Sequence, residues 1–204
     1  MRDQDFLTIA HRWILALACL VVPAASAAAQ EPEEEDLVPA GFGTLLQDEV
    51  SLSLRSQDLL IKATPLAEEV TRLTAPDTHA RLSALAAAHR ETLEFQTRST
   101  DPVLFLVSVF SYQPDVTYQP EDINIVNQGI RERPLAIQAI TPGWGVQRLD
   151  QQETQMAIYA FSPFINLDLD LEIEYRDARN AGWQRILTVL EAERAKVRAR
   201  AGGW

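Results

Sequence analysis

A single cysteine, Cys19, occurs in 204 residues. It lies in an apolar N-terminal run that reads as a removable signal. The expectation is therefore a cysteine-free mature chain, with no disulfide, no thiol nucleophile and no thiolate metal site. Histidine is nearly as scarce, with three copies: His11, His79 and His89. His11 shares the N-terminal run. His79 and His89 are ten residues apart on one expected helix, which puts them on different faces. Zinc needs three or four converging ligands, so no metal site is expected. The eight glycines include no group that would cradle a phosphate ahead of a helix. No serine sits in a Gly-x-Ser-x-Gly elbow, and Ser108 and Ser111 lie in an apolar strand. Two distant acids of a glycosidase would leave no motif, and nothing here favours that reading. The composition therefore points away from enzymes and cofactors.

Positive charge is also in short supply. Eighteen lysines and arginines face twenty-nine aspartates and glutamates, for a net charge of -11. Such a surface repels nucleic acid and anionic lipid, so neither is an expected partner. Part of the charge is concentrated in Glu31, Glu33, Glu34, Glu35 and Asp36 beside Pro32.

Residues 1–29 have the layout of a secretory signal peptide. Arg2 and Arg12 precede an apolar stretch from Trp13 to Val22. Pro23 breaks it, and small residues from Ala24 to Ala29 offer signal peptidase two cleavage boxes, leaving Ala28 or Gln30 as the new N-terminus. An apolar run of about ten residues is half of what a spanning helix needs. No stable membrane span is expected after cleavage. Ala16-Leu17-Ala18-Cys19 is a poor lipoprotein box, because the apolar run continues past the cysteine. The expected layout is a signal (1–29), an acidic leader (30–40) and one domain (41–204), exported to the periplasm or the medium.

Within that domain the hydrophobic period changes several times. Val50, Leu52 and Leu54 alternate with polar residues, and Leu59 to Thr64 reads as the second strand of a hairpin. Residues 66–92 read as a helical insertion. Its second helix is expected to start with Asp77 or Thr78 as cap and to carry Leu82, Leu85, Ala86, His89 and Leu93 on one face. Val103 to Tyr112 is apolar on both faces, as a central strand would be. Ile123 to Val126 and Leu135 to Ile140 flank Asn127-Gln128-Gly129, which suggests a hairpin. Glu153 to Phe161 is a further strand. Ile165, Leu167, Leu169, Leu171, Ile173 and Tyr175 alternate with polar residues as one long strand. Trp183, Ile186, Leu187, Leu190 and Val197 recur at helical spacing, with Arg194, Lys196, Arg198 and Arg200 near the C-terminal end of the dipole. Seven strands in hairpin order predict a mainly β, antiparallel sandwich with a helical insertion and a C-terminal amphipathic helix.

The stretch Val103–Tyr175 adds a resemblance. The strand Leu104–Phe110, the unit Gln119-Pro120-Glu121-Asp122-Ile123, the turn Asn127-Gln128-Gly129, the turn Thr141-Pro142-Gly143 and the strand Met156–Phe161 follow one another. This resembles small immunoglobulin-like domains of bacterial secreted proteins and lipoproteins. The resemblance implies an immunoglobulin-like fold and a noncatalytic module that binds a partner or stabilises an envelope assembly. The alternatives are a small-molecule or polysaccharide binder using its aromatic loops, and an unrecognised hydrolase.

Candidate binding residues lie in the loops. Trp144 and Arg148, between or beside Gly143 and Gly145, and Tyr118 nearby could anchor another envelope or secreted protein; the same aromatics could equally plug the core. Asp168, Asp170, Glu172 and Glu174 share one strand face. Next-but-one residues lie ~7 Å apart there, too regular for a calcium loop, so they read as the wet face of an edge strand.

Overall fold

In a computed structural model, residues 38–202 are described. The signal, Cys19 and residues 30–37 of the acidic leader lie outside the described residues. The chain does carry that cysteine, so it is not a cysteine-free chain.

The hairpin forms as its alternation dictates. Strand β1 (Leu52–Ser56) pairs with β2 (Leu59–Pro65), with Ser56 opposite Leu59. A one-turn helix α1 (Glu68–Thr71) and a long helix α2 (Pro76–Thr97) follow. Pro76 opens α2 because its fixed φ suits the first helical position and its missing N–H is not needed there. Ala75, not Asp77 or Thr78, occupies the cap position, and no side chain caps the helix. The helix runs on to Thr97 and stops where Arg98 turns left-handed, at φ 52°.

Strand β3 (Val103–Ser111) explains its own composition. It is the middle strand of a five-stranded antiparallel sheet, ordered β1, β2, β3, β9 (Thr154–Phe161) and β7 (Ala136–Ala139). Phe105, Val107 and Val109 point into the main core. Leu104 and Leu106 point the other way and pack with Leu82, Ala86 and Leu93 of α2, together with Ile158 and Ala160. Both faces are therefore buried, one by a sheet and one by a helix.

A second sheet has the order β11 (Ala178–Asn180), β10 (Leu171–Tyr175), β5 (Ile123–Asn127), β6 (Ile130–Glu132). Its inner residues Ile123, Ile125, Leu171, Ile173 and Tyr175 join the main core. A two-stranded ribbon pairs β4 (Val116–Thr117) with β8 (Arg148–Leu149). The C-terminal helix α3 (Trp183–Gly202) buries Trp183, Leu187 and Leu190, and the Trp183 indole N–H donates to the Leu167 carbonyl at 2.9 Å.

The architecture corrects the sandwich expectation. Among the described residues helix makes up 35% and strand 33%, in three separate open sheets, so the fold is mixed α and β and not a mainly β immunoglobulin-like sandwich. The long helices α2 and α3 and the β4–β8 ribbon have no place in that plan. The reading as an immunoglobulin-like interaction or structural module falls with it. The two errors of detail have local causes. Gln128 and Gly129 both take positive φ (51° and 78°), so the chain reverses at once into β6; residues 136–139 belong to the other sheet, paired with β9. The expected strand from Ile165 begins only at Leu171. Asn166 Oδ1 accepts the Asp168 N–H at 2.9 Å, and the Asn127 side chain bonds both Asn166 and Asp170. Such side-chain bonds to nearby backbone replace the strand ladder with a turn.

The segment after the leader is threaded into the fold. Gly43 N–H donates to the Arg72 carbonyl (2.9 Å), and Leu45 N–H to that of Leu73 (3.1 Å). A Cβ on Gly43 would stand 1.9 Å from the Leu73 carbonyl oxygen, which only glycine avoids. Arg200, near the end of α3, donates to the Phe42 carbonyl at 2.8 Å.

Candidate functional site

The glycine-bracketed turn Pro142–Val146 folds inward. Trp144 is 5% exposed and meets Tyr118 edge-on at 5.4 Å and Tyr159 at 6.0 Å between ring centroids. Tyr118 is fully buried; its hydroxyl donates to Gln155 Oε1 at 2.7 Å. Burial foremost, then the nearby Glu153 charge, pushes the Tyr118 hydroxyl well above the ordinary tyrosine range, and burial does the same to Tyr159. Gln155 Nε2 in turn donates to the Arg148 carbonyl and to Glu153 Oε1, at 3.1 and 2.8 Å. A backbone N–H from Asp150, then Gln155, holds the Glu153 carboxyl below its usual range. The structure thus brings Trp144 and Tyr118 together as one wall of the core. Arg148 stays outside, its guanidinium paired with Asp115. A ligand site built on these aromatic loops is corrected by that burial: the rings face inward.

The acidic stripe is also rearranged. Asp168 and Asp170 precede β10 in the turn. Glu172 and Glu174 lie on β10, which is an inner strand of its sheet and not an edge. Glu174 is 4% exposed and is gripped from both sides, by Arg131 of β6 and Arg179 of β11, each at 2.5 Å. Arg179 also reaches Glu172 at 3.1 Å. The carboxylates are held by guanidiniums from flanking strands. Among the described residues, no three His, Cys, Asp or Glu side chains converge as a metal site.

His79 sits in a cluster of triad composition. Ser83 Oγ is 3.3 Å from His79 Nδ1 and 3.5 Å from Glu68 Oε2, while His79 Nε2 is 3.8 Å from Glu68 Oε1. In a working triad the acid orients the imidazole from the side away from the serine. Here Glu68 touches the serine directly. Ser83 also lies within α2, where backbone N–H groups are committed to the helix and do not form an oxyanion hole. The cluster ties α1 to α2; the geometry does not activate the serine, so the hydrolase reading gains no support from it.

A cleft opens next to this cluster. Its volume is about 700 Å³, and it lies between α1, the start of β3 and the loop 163–168. Glu68, Glu69, Asp101 and Asp168 line it against one guanidinium, Arg90. Arg90 pairs with Asp101 at 2.5 Å, and Asp168 with Arg194 at 3.3 Å. Phe164 stands on the rim, 85% exposed. Beyond Glu69 a second hollow of about 720 Å³ continues toward α3, bordered by Arg72, Arg194 and Arg198. Sequence reading missed Phe164 because the alternation that follows it drew the eye to a strand; the signal was Ser162-Pro163, a turn that lifts the next side chain off the core.

Compared with protein-family models, with curated proteins and with solved structures, the chain matches none.

Proposed function

We propose that this chain is an exported, noncatalytic protein that works in the periplasm or outside the cell by holding a segment of another envelope or secreted protein in the cleft beside α1. The observation that carries the reading is Phe164. A large aromatic side chain stands exposed at the rim of a deep cleft whose walls carry four carboxylates and one arginine. Exposed aromatics beside a cleft are the usual anchors of protein recognition. Glu68, Asp101 and Asp168 are each paired with an arginine, Arg72, Arg90 and Arg194, which leaves Glu69 to call for a basic group on the guest and Arg198 of the adjoining hollow to call for an acid further along it. Export is supported by the charged, apolar and small-residue blocks of residues 1–29. The noncatalytic reading is supported by the lack of a nucleophile elbow or phosphate loop in the sequence. Among the described residues no helix is long and apolar enough to cross a membrane.

A photo-crosslinking residue in place of Phe164, in the full chain in its own envelope, tests this. One dominant crosslinked protein is expected. Its purified form should bind the unmodified chain with an affinity that falls as salt rises and that drops by ~2 kcal/mol for Phe164→Ala. Equal crosslinking from Phe95, which is just as exposed but lies on α2, would overturn the proposal. So would undiminished binding by Phe164→Ala.

A further inference from the structure

The outer face of the second sheet carries a pocket unrelated to the α1 cleft. Its volume is about 280 Å³, just below the roughly 300–1,000 Å³ that drug-sized ligands occupy, so its guest is smaller. Asn124 and Glu174 sit opposite one another in register, on β5 and β10, and both line it. Glu174 is satisfied by Arg131 and Arg179. Asn124 is not. It is 7% exposed; its Nδ2 donates to the Asp122 carbonyl at 2.9 Å, yet its Oδ1 meets no donor. A buried acceptor left in that state carries an uncompensated desolvation cost.

Four charged groups around it are also without ion pairs among the described residues. They are the guanidiniums of Arg133 and Arg176 and the carboxylates of Glu121 and Asp122, and all four line the same pocket. Arg176 lies over the Tyr175 ring, 5.0 Å from its centroid, and makes no ion pair there. Opposite charges that share one small pocket without pairing offer complementary halves of a site. A guest that carries both signs on two groups of one carbon would satisfy all of them.

We propose that this pocket binds a free α-amino acid as its zwitterion. The ammonium group donates to Asn124 Oδ1 and faces the Glu121 and Asp122 carboxylates. The carboxylate is held by Arg133 and Arg176, whose planar guanidiniums suit it. The guest supplies the one donor that the buried amide oxygen lacks. Neither a simple anion nor a simple cation does this, because each would meet an uncompensated pair of like charges.

Titration of the full chain with L-alanine, followed by calorimetry and by amide chemical shifts, tests the proposal. Saturable binding is expected, with shifts centred on β5 and the turn into β11. N-acetyl-L-alanine lacks the ammonium and L-alaninamide lacks the carboxylate; each should bind at least tenfold more weakly. Asn124→Leu should abolish binding while the variant stays folded, since it removes the unsatisfied acceptor together with the one bond to the Asp122 carbonyl. Should that variant misfold, Arg133→Gln with Arg176→Gln, both exposed, gives a second reading and should lose at least tenfold in affinity. Absence of saturable binding by L-alanine would overturn the proposal. Equal binding of all three compounds, or unchanged binding by the folded variants, would do so as well.

Discussion

The Glu193 carboxylate accepts the backbone N–H of Thr44, 149 residues earlier in the chain, at 2.9 Å. The Thr44 hydroxyl donates to the same oxygen at 3.1 Å, and Arg200 lies 3.4 Å away. Glu193 is 2% exposed. Removing one partner of a buried charged group strands the others, at a cost of about 3–5 kcal/mol. Glu193→Ala should lower stability by about that much in denaturant unfolding. Glu191→Ala, on the exposed side of the same helix, should stay within about 0.5 kcal/mol. Equal effects would mean that Glu193 does not tie the N-terminal segment to α3.

Trp144→Ala should cost roughly 3–5 kcal/mol, as expected for deleting a large buried aromatic. The ring fills space against Tyr118 and Tyr159. Chemical denaturation measures this directly. A variant as stable as the parent would show that the turn Pro142–Val146 can open.

Alkaline pH should destabilise the protein through Tyr118 and Tyr159. Both hydroxyls are raised in the folded state, mainly by burial. Their contribution is therefore complete below the unfolded tyrosine pKa, near 10, and is lost as pH rises above it toward the folded values. Ultraviolet titration should show Tyr118 and Tyr159 resisting ionisation until the chain unfolds. Phe substitution at Tyr159 should flatten the alkaline limb while forfeiting the bond from its hydroxyl to the Pro120 carbonyl.

Leu190→Ala should cost roughly 2–5 kcal/mol, since the side chain is fully buried within the main core. A 20-residue helix of this charge has little stability alone, so its order depends on that contact. Truncation before Trp183 should abolish cooperative unfolding. An unaffected melting temperature in Leu190→Ala would mean that α3 is held by its charges and not by its apolar stripe.

Much of the local structure was legible from hydrophobic period. The hairpin β1–β2, the helix over Leu82–Leu93, the doubly apolar β3 and the stripe Trp183–Leu190 follow from side-chain spacing alone. What the sequence hid was partnership. Leu104 and Leu106 read the same whether a sheet or a helix covers them, so the α2 layer looked like an insertion on a sandwich. Asn127 reads as a turn residue, yet its side chain organises Asn166 and Asp170 across the sheet. Of the candidate residues, Trp144 and Tyr118 carried a core reading and a surface reading with equal chemistry; only burial separates them. Phe164 and Asn124 gave almost no signal, because exposure and an orphaned oxygen are properties of the folded chain.

The bond from Arg200 to the Phe42 carbonyl makes residues 42 to 200 a ring closed without a covalent link. The two ends of the described segment meet at one place, while the tight reversal at Gln128-Gly129 lies in the open, with both residues exposed. The order of elements along the chain is then a convention of where the ring is cut. A permuted gene that joins the two ends through a short linker and starts at Gly129 would encode the same packing.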